Sequence, residues 1–454
     1  MTPTKIPIVK FPSKGIKLST SEKKVVRKLV KAAESIAPIY LKQENNRNNG
    51  ANFYPRDATR IQILEAAKKD PEILSPFTIV ERDKKGKLIA IPYHVKFKSQ
   101  LKKTAGFIRE AAKLTDNKDF AKRLEVQANA LLDGNYEASD IYWLSMKPYK
   151  ISFVIGPVER YLDKLFFTKC ACQAWVGVMD EKLTEDAIRF KDFIIGSRRR
   201  VLAPSEKVDF LDKIQIRVDN TLIFSGLISR FMFTSTNLPN DVNIMERYGS
   251  RVSIFKPSFE RKFETEHHPI FHAVFEEKFQ ENYPVDVLRL GSLRNSYLNE
   301  IGHSVLRYRD AETRLKEYFP IFDEISSSVF GVKSCGALLL KDAISQKELE
   351  AIMVMFIARA FSWWLTYLRE PGVVHYAQGF AVALNFFVES GAIRESGGFS
   401  WPNFTKLFVS INELSDALER ILAVGSYEDA EQFIEKHASL DIFERFLPNL
   451  KELL

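Results

Sequence analysis

The chain has little cysteine and no long uninterrupted apolar run. Its 454 residues include three cysteines, too few for a disulfide framework. The most apolar segment, residues 351–365, is interrupted by Arg359 and is shorter than a membrane-spanning helix. The N-terminal residues contain lysines and prolines but no apolar core of signal-peptide length. These absences predict a cytoplasmic protein in a reducing compartment, with no membrane partner.

The positive charge of the chain is concentrated in one segment. The formal net charge is +8, and residues 1–33 contain nine lysine and arginine side chains and one acid, so this segment accounts for the whole excess. A second basic cluster, residues 197–204, has no interleaved aromatic side chains on which bases would stack. We therefore expect solvated basic surfaces and no nucleic-acid partner.

The hydrophobic periodicity changes along the chain. A capping box, Ser19-x-x-Glu22, predicts the start of a helix. From Arg289 onward the pattern is helical, with a break near Glu370-Pro371-Gly372. Strand-like patterns occur at residues 77–93 (as a hairpin), 150–156, 213–218 and 221–228. Strands before helices predict a helix-rich α+β fold rather than an alternating α/β order. Cys170 and Cys172 are too close for a usual zinc pair, and we expect them to pack in a helix.

The segment at residues 296–308 is similar to the metal-binding helix of zinc peptidases with one residue changed. Such helices contain His-Glu-x-x-His, whereas this chain has Asn299-Glu300-Ile301-Gly302-His303. Positions i and i+4 lie on one face of a helix, so Asn299 and His303 occupy the two ligand positions. Glu300 occupies the position of the general base that takes a proton from metal-bound water.

A third ligand is expected from a second helix. Glu324 follows Asp323 at the start of another apolar-periodic segment and would face His303 if the two helices pack together. Taken alone, Glu-x-x-His in a helical chain is most often a surface ion pair or a core histidine. The spacing by itself therefore does not establish a function.

The rest of the chain resembles the dipeptidyl peptidase III family, in its shorter bacterial and plant branch. The resemblance covers roughly residues 20–450. It rests on segments that occur in the same order: GANFYPRD (50–57), SPFTIVERDKKGKLIAIPYH (75–94), SDIYWLSMK (139–147), IGPVERYLDKLFFTKCACQA (155–174), NLPND (237–241), RYGSRVSIFKPSFERKF (247–263) and VVHYAQGFAVALNFFVESGAI (373–393).

The resemblance implies a fold of two lobes around a wide cleft. One lobe is mainly helical and holds the metal, and the other is mixed and includes a small β-barrel. We expect residues 1–165 to form the N-terminal part of the mixed lobe and 166–255 a strand-rich segment shared between the lobes. Residues 256–425 would form the helical, catalytic-type lobe, and 426–454 a C-terminal helical tail.

The resemblance also implies an activity. Family members are zinc peptidases that remove dipeptides from the N-terminus of short peptides. By position, the metal ligands would be Asn299, His303 and Glu324, with Glu300 as the base. His375 matches a histidine near the substrate carbonyl, where it would stabilise the oxyanion.

Further cleft residues follow from the same resemblance. Glu159 and Tyr161 match the segment that receives the amino terminus of the substrate. Asn237 and Asn240 match asparagines that bond the peptide backbone, and Arg369 lies near a cleft arginine. Each of these residues also has an alternative, purely structural interpretation.

Two departures from the family pattern bear on the chemistry. Asn299 replaces a histidine, and an amide oxygen is a weaker zinc ligand than an imidazole nitrogen. Ser327-Ser328 replaces the Ala-Asp step of the second helix, which removes a partner of a metal-bound histidine.

Three hypotheses remain open at this stage. The first is a zinc hydrolase that cleaves short peptides near their N-terminus with an altered site. The second is a non-catalytic pseudopeptidase that binds a peptide or small ligand in the cleft. The third is an enzyme of another reaction class. The cofactor would be zinc, another divalent metal or none, and the chain would be a monomer or a homodimer.

Overall fold

The computed structural model describes residues 6–45, 48–198, 211–308, 310–395, 398–401 and 403–454. The side chains of the basic cluster at 197–204 lie outside the described residues. The described part is rich in helix, with strands restricted to the first 255 residues.

Six of the eight strands in the described residues form one curled sheet, and the other two form a separate hairpin. In the curled sheet the order is β4-β5-β6-β8-β7, and β1 pairs with β6. All pairs are antiparallel except β6 with β8. The strands are β1 Ile8–Lys10, β2 Thr78–Arg82, β3 Leu88–Pro92, β4 Ile151–Glu159, β5 Ala171–Met179, β6 Gln215–Gly226, β7 Ser235–Leu238 and β8 Arg251–Phe255.

The helices fall into two groups: those before and between the strands, of which α1, α7 and α8 contact the curled sheet, and those after β8. The first group is α1 Thr20–Gln43, α2 Arg60–Lys69, α3 Tyr93–Lys96, α4 Lys98–Ala112, α5 Lys118–Asp133, α6 Tyr136–Ser145, α7 Glu181–Arg198, α8 Leu227–Phe231 and α9 Val242–Tyr248. The second group is α10 Lys256–Lys262, α11 His268–Val274, α12 Glu277–Gln280, α13 Val285–Val305, α14 Ala311–Leu315, α15 Phe319–Leu339, α16 Gln346–Arg369, α17 Val374–Glu389, α18 Phe404–Val424, α19 Tyr427–His437, α20 Asp441–Glu444 and α21 Leu447–Leu450.

Short 3₁₀ turns and one π-helical turn complete the described elements. The 3₁₀ turns are Pro71–Leu74, Leu211–Lys213, Lys316–Tyr318, Pro371–Val373 and Lys451–Leu453, and the π-helical turn is Phe263–His267.

Several sequence-based predictions of secondary structure are confirmed. Ser19 caps α1 in a complete capping box, in which its hydroxyl accepts from the Glu22 amide and its own amide donates to the Glu22 carboxylate. The predicted hairpin is formed by β2 and β3. The predicted break after Arg369 is present, because α16 ends there and a 3₁₀ turn follows.

Two predictions in the sheet were wrong. The segments at 213–218 and 221–228 form the single strand β6, because Asp219 between them is buried against Arg217 (Nη2 to Oδ1, 2.6 Å) instead of turning the chain. Cys172 lies in strand β5, not in a helix. That strand is buried on both faces, and a short apolar run of this kind gives no periodicity that separates strand from helix.

The buried side chains form two large cores, as expected for a two-lobed α+β fold. One core gathers α1, α4 and α5 against β4 and β5 in the mixed lobe. The other gathers α13 and α15–α18 in the helical lobe. The segment at 166–255 contributes side chains to both cores. The exact domain boundaries expected from the sequence stay predictions.

Helix α16 is the most apolar long helix of the helical lobe. By length and composition it would suffice to cross a membrane, but 72% of its apolar window is buried inside the fold. It packs against α13, where the amide of Asn295 donates to the Ile352 carbonyl over 2.7 Å. This burial is the environment of a core helix, but the length argument from residues 351–365 was wrong, because the helix extends over 24 residues.

Candidate functional site

The predicted metal helix, α13, and the predicted third-ligand helix, α15, lie in close contact. A Cβ atom placed on Gly302 would lie 2.3 Å from the backbone oxygen of Ser327, so only glycine permits this approach. Helix α15 begins at Phe319, before the Asp323-Glu324 pair that was expected to open it. The contact brings the α13 side chains at 299 and 303 to the first turns of α15.

His303 lies between carboxylates of α15. Its Nε2 is 3.2 Å from Glu324 Oε2, and its Nδ1 is 3.1 Å from both Asp323 Oδ2 and Ser327 Oγ. Burial opposes the charged form of His303, but the two carboxylates raise its pKa well above the usual value. With an acid on each ring nitrogen, the geometry favours an imidazolium that donates from both nitrogens.

Asn299 also contacts Glu324, but through its amide nitrogen. Nδ2 donates to Glu324 Oε1 over 3.2 Å and to Ser328 Oγ over 2.9 Å. The side-chain oxygen accepts from Nη2 of Arg359 over 3.1 Å. Because a guanidinium only donates and a carboxylate accepts, this network fixes the orientation of the amide.

Arg359 is the residue of this cluster that sequence reasoning missed. It lies on α16, and its side chain is 15% exposed. Nη1 donates to the Asn295 carbonyl over 3.2 Å, and Nη2 also lies 3.5 Å from Glu324 Oε1. A signal was present in the sequence, since Arg359 is the one charged residue in the apolar segment 351–365.

The predicted ligand set does not fit a zinc ion. Zinc needs free oxygen lone pairs at its ligands and no fixed cation beside them. The Asn299 oxygen and Glu324 Oε1 face the permanent positive charge of Arg359. Burial would raise the pKa of Glu324, but His303 and Arg359 lower it, so internal cations already balance this carboxylate. Within the described residues, no group of three or more histidine, cysteine, aspartate or glutamate side chains is arranged to hold a metal.

Glu300, the predicted general base, lies against strand β7. Its Oε1 accepts from Ser235 Oγ over 2.7 Å. Asn237 of the same strand donates to the Glu300 carbonyl (3.4 Å) and to Ser304 Oγ (2.9 Å). Burial raises the pKa of Glu300, and the nearby His303 opposes this effect. The structure therefore places the side-chain amide of Asn237 on α13, and its predicted contact with a peptide stays a prediction.

Glu159 and Asn240 meet in the mixed lobe. The amide of Asn240 donates to Glu159 Oε2 over 2.8 Å and to the Val158 carbonyl over 3.3 Å. Glu159 is 5% exposed, and burial raises its pKa to about 7. The Asn240 bond opposes that rise, while the charge of Glu300 adds to it. A buried carboxylate held by a neutral amide has capacity for a positively charged partner.

Tyr161 links the two groups of acids. Its side chain is 55% exposed and packs edge-on to Phe233. The charges of Glu159, Glu300 and Glu324 all raise the pKa of Tyr161, with Glu159 having the largest effect. The Tyr161 phenol therefore lies close enough to feel the charges of Glu159 in the mixed lobe and of Glu324 in the helical lobe.

The two remaining predicted residues, His375 and Arg369, lie in different surroundings. His375, at the start of α17, packs on the ring of Tyr376, and burial lowers its pKa while the Glu324 charge opposes the change. Arg369 is exposed and donates to the Leu453 carbonyl over 3.4 Å. The structure thus brings His375 near Glu324 and shows Arg369 beside the C-terminal residues.

Two solved structures share this fold over nearly the whole chain. A dipeptidyl peptidase III from Caldithrix abyssi has a TM-score of 0.84 and 24% identity, with 96% of each chain covered. A dipeptidyl peptidase III from Corallococcus sp. strain EGB has a TM-score of 0.79 and 23% identity, covering 98% of this chain and 93% of that chain. No family model matches the sequence.

A curated protein is also similar to this chain over most of the chain's length. Nudix hydrolase 3 of Arabidopsis thaliana is 24% identical over 424 residues, which cover 86% of this chain and 54% of the relative. The chain therefore spans about half the length of that relative. Together with the two solved structures, the lobes, sheet and helix order show that this chain has a dipeptidyl peptidase III-like fold.

Proposed function

We propose that this chain binds the N-terminal part of short peptides in its interlobe cleft and does so without metal-dependent hydrolysis. The solved relatives are named as dipeptidyl peptidases, which makes a peptide the first ligand class to test. Of the two leading hypotheses from the sequence, the geometry supports the pseudopeptidase better. The free, buried thiols of the three cysteines agree with a cytoplasmic location, which we retain as part of the proposal.

The position of Arg359 is the observation on which the proposal rests. Its guanidinium bonds the side chain of Asn299 and the backbone of Asn295, one helical turn earlier. It also lies beside Glu324, the third predicted ligand. A fixed cation at two of the three ligand positions repels a divalent ion and stabilises the carboxylate in its place. The cluster is thus complete without a metal.

The Glu159 carboxylate supports peptide binding independently of a metal. A peptide amino terminus is a compact cation with three donors, and Glu159 presents a buried acceptor beside the Asn240 amide. Binding an ammonium group would offset the burial cost of this carboxylate. The proposed role for Tyr161 is to cover the bound amine from the solvent side.

The zinc hydrolase remains the second candidate because of Glu300. Ser235 holds this carboxylate by a 2.7 Å hydrogen bond, and the charges of His303 and Glu324 act on it. A general base must lie within hydrogen-bond reach of the proton that it takes. For this candidate, however, zinc would have to displace Arg359 and deprotonate His303.

The test combines metal content with peptide binding. Wild type, Asn299→His and the double variant Asn299→His/Arg359→Met would be incubated with one equivalent of zinc, desalted and measured by elemental mass spectrometry. We expect wild type to retain less than about a tenth of an equivalent, because its ligand set is already satisfied by internal cations. The double variant restores the histidine and removes the competing charge, so we expect it to retain the most zinc.

Calorimetry with tetra-alanine and its N-acetyl form then tests the ligand. We expect wild type to bind the free peptide at least tenfold more tightly than the acetylated one and to leave it intact by mass spectrometry. About one zinc per wild-type chain, with cleavage that Glu300→Gln abolishes, would establish the hydrolase instead. Equal binding of the two peptides, or binding of neither, would refute the role of Glu159.

A further inference from the structure

Two histidines on helix α11 bring one ring nitrogen each to the same point on the protein surface. Nε2 of His272 lies 3.2 Å from Nε2 of His268, and the two ring planes are close to perpendicular, at 81°. The i, i+4 spacing places both side chains on one face of the helix. His272 is exposed and His268 is half-buried, so solvent reaches the pair. The proposed peptide binding uses neither ring.

Gln280 fixes the proton of His272. The Gln280 amide nitrogen donates to the backbone carbonyls of His272 (3.1 Å) and Phe275 (2.7 Å), so the other side-chain atom is the oxygen. That oxygen lies 2.6 Å from Nδ1 of His272. Because a carbonyl oxygen only accepts, Nδ1 carries the proton, and the neutral ring has its lone pair on Nε2. A hydrogen bond of this kind from the second ring nitrogen is the usual support of a metal-ligating histidine.

His268 can present a second lone pair at the same point. Its ring stacks on Phe263, with the ring centres 5.5 Å apart and the planes at 30°. Since Nε2 of His272 has no proton, Nε2 of His268 is the donor in the 3.2 Å contact. Among the described residues, no hydrogen bond holds Nδ1 of His268 in one state. The tautomer with its proton on Nδ1 is therefore available, and it leaves a lone pair on Nε2.

The separation of the two nitrogens matches that of two ligands of one metal ion. Imidazole nitrogens bind zinc at about 2.0–2.1 Å, which places two of them about 3.3–3.4 Å apart at a tetrahedral angle and about 2.8–3.0 Å apart at a right angle. The observed 3.2 Å lies between these two values. The backbone and both rings can therefore stay in place when a metal replaces the shared proton.

The charges near the pair are compatible with a bound cation. Burial lowers the pKa of His268, and the charges of His272 and Arg289 add to this effect, which favours the neutral ring that a metal needs. The guanidinium of Arg289 is itself paired with two acids, Glu260 and Glu264. The nearby fixed charges therefore sum to one negative charge, in contrast to the α13–α15–α16 cluster, where a guanidinium lies at the ligand positions.

We propose that His268 and His272 bind one divalent transition-metal ion through their Nε2 atoms, with water completing its coordination. Imidazole suits zinc, nickel and copper, and copper(II) binds most tightly in the general order of these ions. Stable zinc sites use three or four protein ligands, so a site with two exchanges its metal with free ions and does not retain zinc through desalting. This site is independent of the proposed peptide binding.

The test titrates copper(II) chloride into the full-length chain at pH 7.5 by isothermal calorimetry. Pulsed electron paramagnetic resonance at half an equivalent of copper counts the imidazoles on the metal, and we expect two. His268→Gln and His272→Ala should each weaken the affinity by at least about tenfold and leave one imidazole, because a single ring cannot chelate. His94→Gln is the matched control, since this histidine lies in α3 of the mixed lobe, and it should bind copper as wild type does.

The outcomes decide between this site and other copper sites on the chain. One imidazole on the copper of wild type would overturn the proposal. Affinity that is unchanged in both His268→Gln and His272→Ala would overturn it as well, and so would the absence of copper binding. Urea denaturation checks that each variant is folded, and if one of them is not, the other still tests the pair. Peptide affinity should be equal with and without copper, so failure of this proposal leaves the proposed function unaffected.

Discussion

Nη2 of Arg359 lies 3.1 Å from the side-chain oxygen of Asn299, across the contact between α16 and α13. The same nitrogen lies 3.5 Å from Glu324 Oε1. This geometry joins the replaced ligand position to a cation on a third helix. Asparagine suits that arrangement because it offers an acceptor to the guanidinium and a donor to the carboxylate at the same time.

Replacing Arg359 should destabilise the fold. Arg359→Met keeps most of the aliphatic stem but leaves the Asn299 oxygen and one oxygen of Glu324 without this donor, and hydrogen bonds to charged groups contribute about 1.5–3 kcal/mol. We expect a loss of about 2 kcal/mol in the free energy of unfolding, measured by urea denaturation. Arg369→Met is the matched control, since this exposed arginine on the same helix donates to the Leu453 carbonyl over 3.4 Å, away from the cluster.

A double-mutant cycle shows whether the effect belongs to the pair. Asn299→Ala and Arg359→Met should couple by about 0.5–3 kcal/mol, as residues in one network do. Additive effects would mean that the two side chains do not interact in solution. Equal stabilities of Arg359→Met and Arg369→Met would contradict the placement of Arg359 in the cluster.

The sequence predicted that the helices of Asn299, His303 and Glu324 would meet, but it did not predict the contacts of Arg359 with them. The i, i+4 spacing of Asn299 and His303 follows from helical periodicity, and Glu324 was expected to meet them. The placement of Arg359 could not be predicted, because which face of α16 meets α13 depends on tertiary packing. Asp323 was noted only as part of the acidic pair, and its contact with His303 depends on the register of two packed helices.

The sheet shows a different limit of sequence reasoning. The hairpin at 77–93 could be predicted because the polar turn DKKGK (83–87), in which Gly86 has a φ of 80°, separates two apolar segments. Strand β5 has no alternation of apolar and polar residues, since both of its faces are buried. Likewise, the Arg217–Asp219 pair keeps two polar residues inside β6, where polar residues usually indicate a turn.

Glu159 should make stability depend on pH. Burial raises its folded-state pKa from 4.5 to about 7, so the folded chain binds this proton more tightly than the unfolded chain does. The resulting contribution to stability is complete below pH 4.5 and is lost as pH rises through 7. A shift of this size corresponds to about 3 kcal/mol.

The measurement compares wild type with Glu159→Gln by urea denaturation at pH 5 and pH 8. Between these values wild type should lose about 2–3 kcal/mol relative to the variant, because glutamine keeps an acceptor for Asn240 and does not ionise. Glu300 and Arg160, whose charges act on Glu159, are present in both proteins and cancel in the difference. Glu435→Gln, at an exposed position on α19, should have the same free energy of unfolding as wild type at both pH values. A pH-independent difference between wild type and Glu159→Gln would contradict the perturbed ionisation of Glu159.

The closeness of α13 and α15 at Gly302 should make this position intolerant of a methyl group. The Cβ of Gly302→Ala would lie 2.3 Å from the Ser327 backbone oxygen and 2.7 Å from its Cα, and neither atom can move without shifting the helix. We expect a loss of at least about 2 kcal/mol in unfolding free energy, as overpacking typically gives. Gly106→Ala in α4 is the matched control, because its Cβ would meet nothing within 4 Å. Alanine there should stabilise the helix by about 0.5–1 kcal/mol.

The two glycine variants also test the site itself. The contacts of His303 with Asp323, Glu324 and Ser327 all require the helix spacing that Gly302 permits. If Gly302→Ala folds as stably as wild type, the helices lie farther apart than described. The hydrogen bonds of the cluster would then be too long to satisfy His303, and room for a metal ion would return. Destabilisation at Gly302, together with stabilisation at Gly106, would instead support the closed cluster in which Arg359 provides the cation.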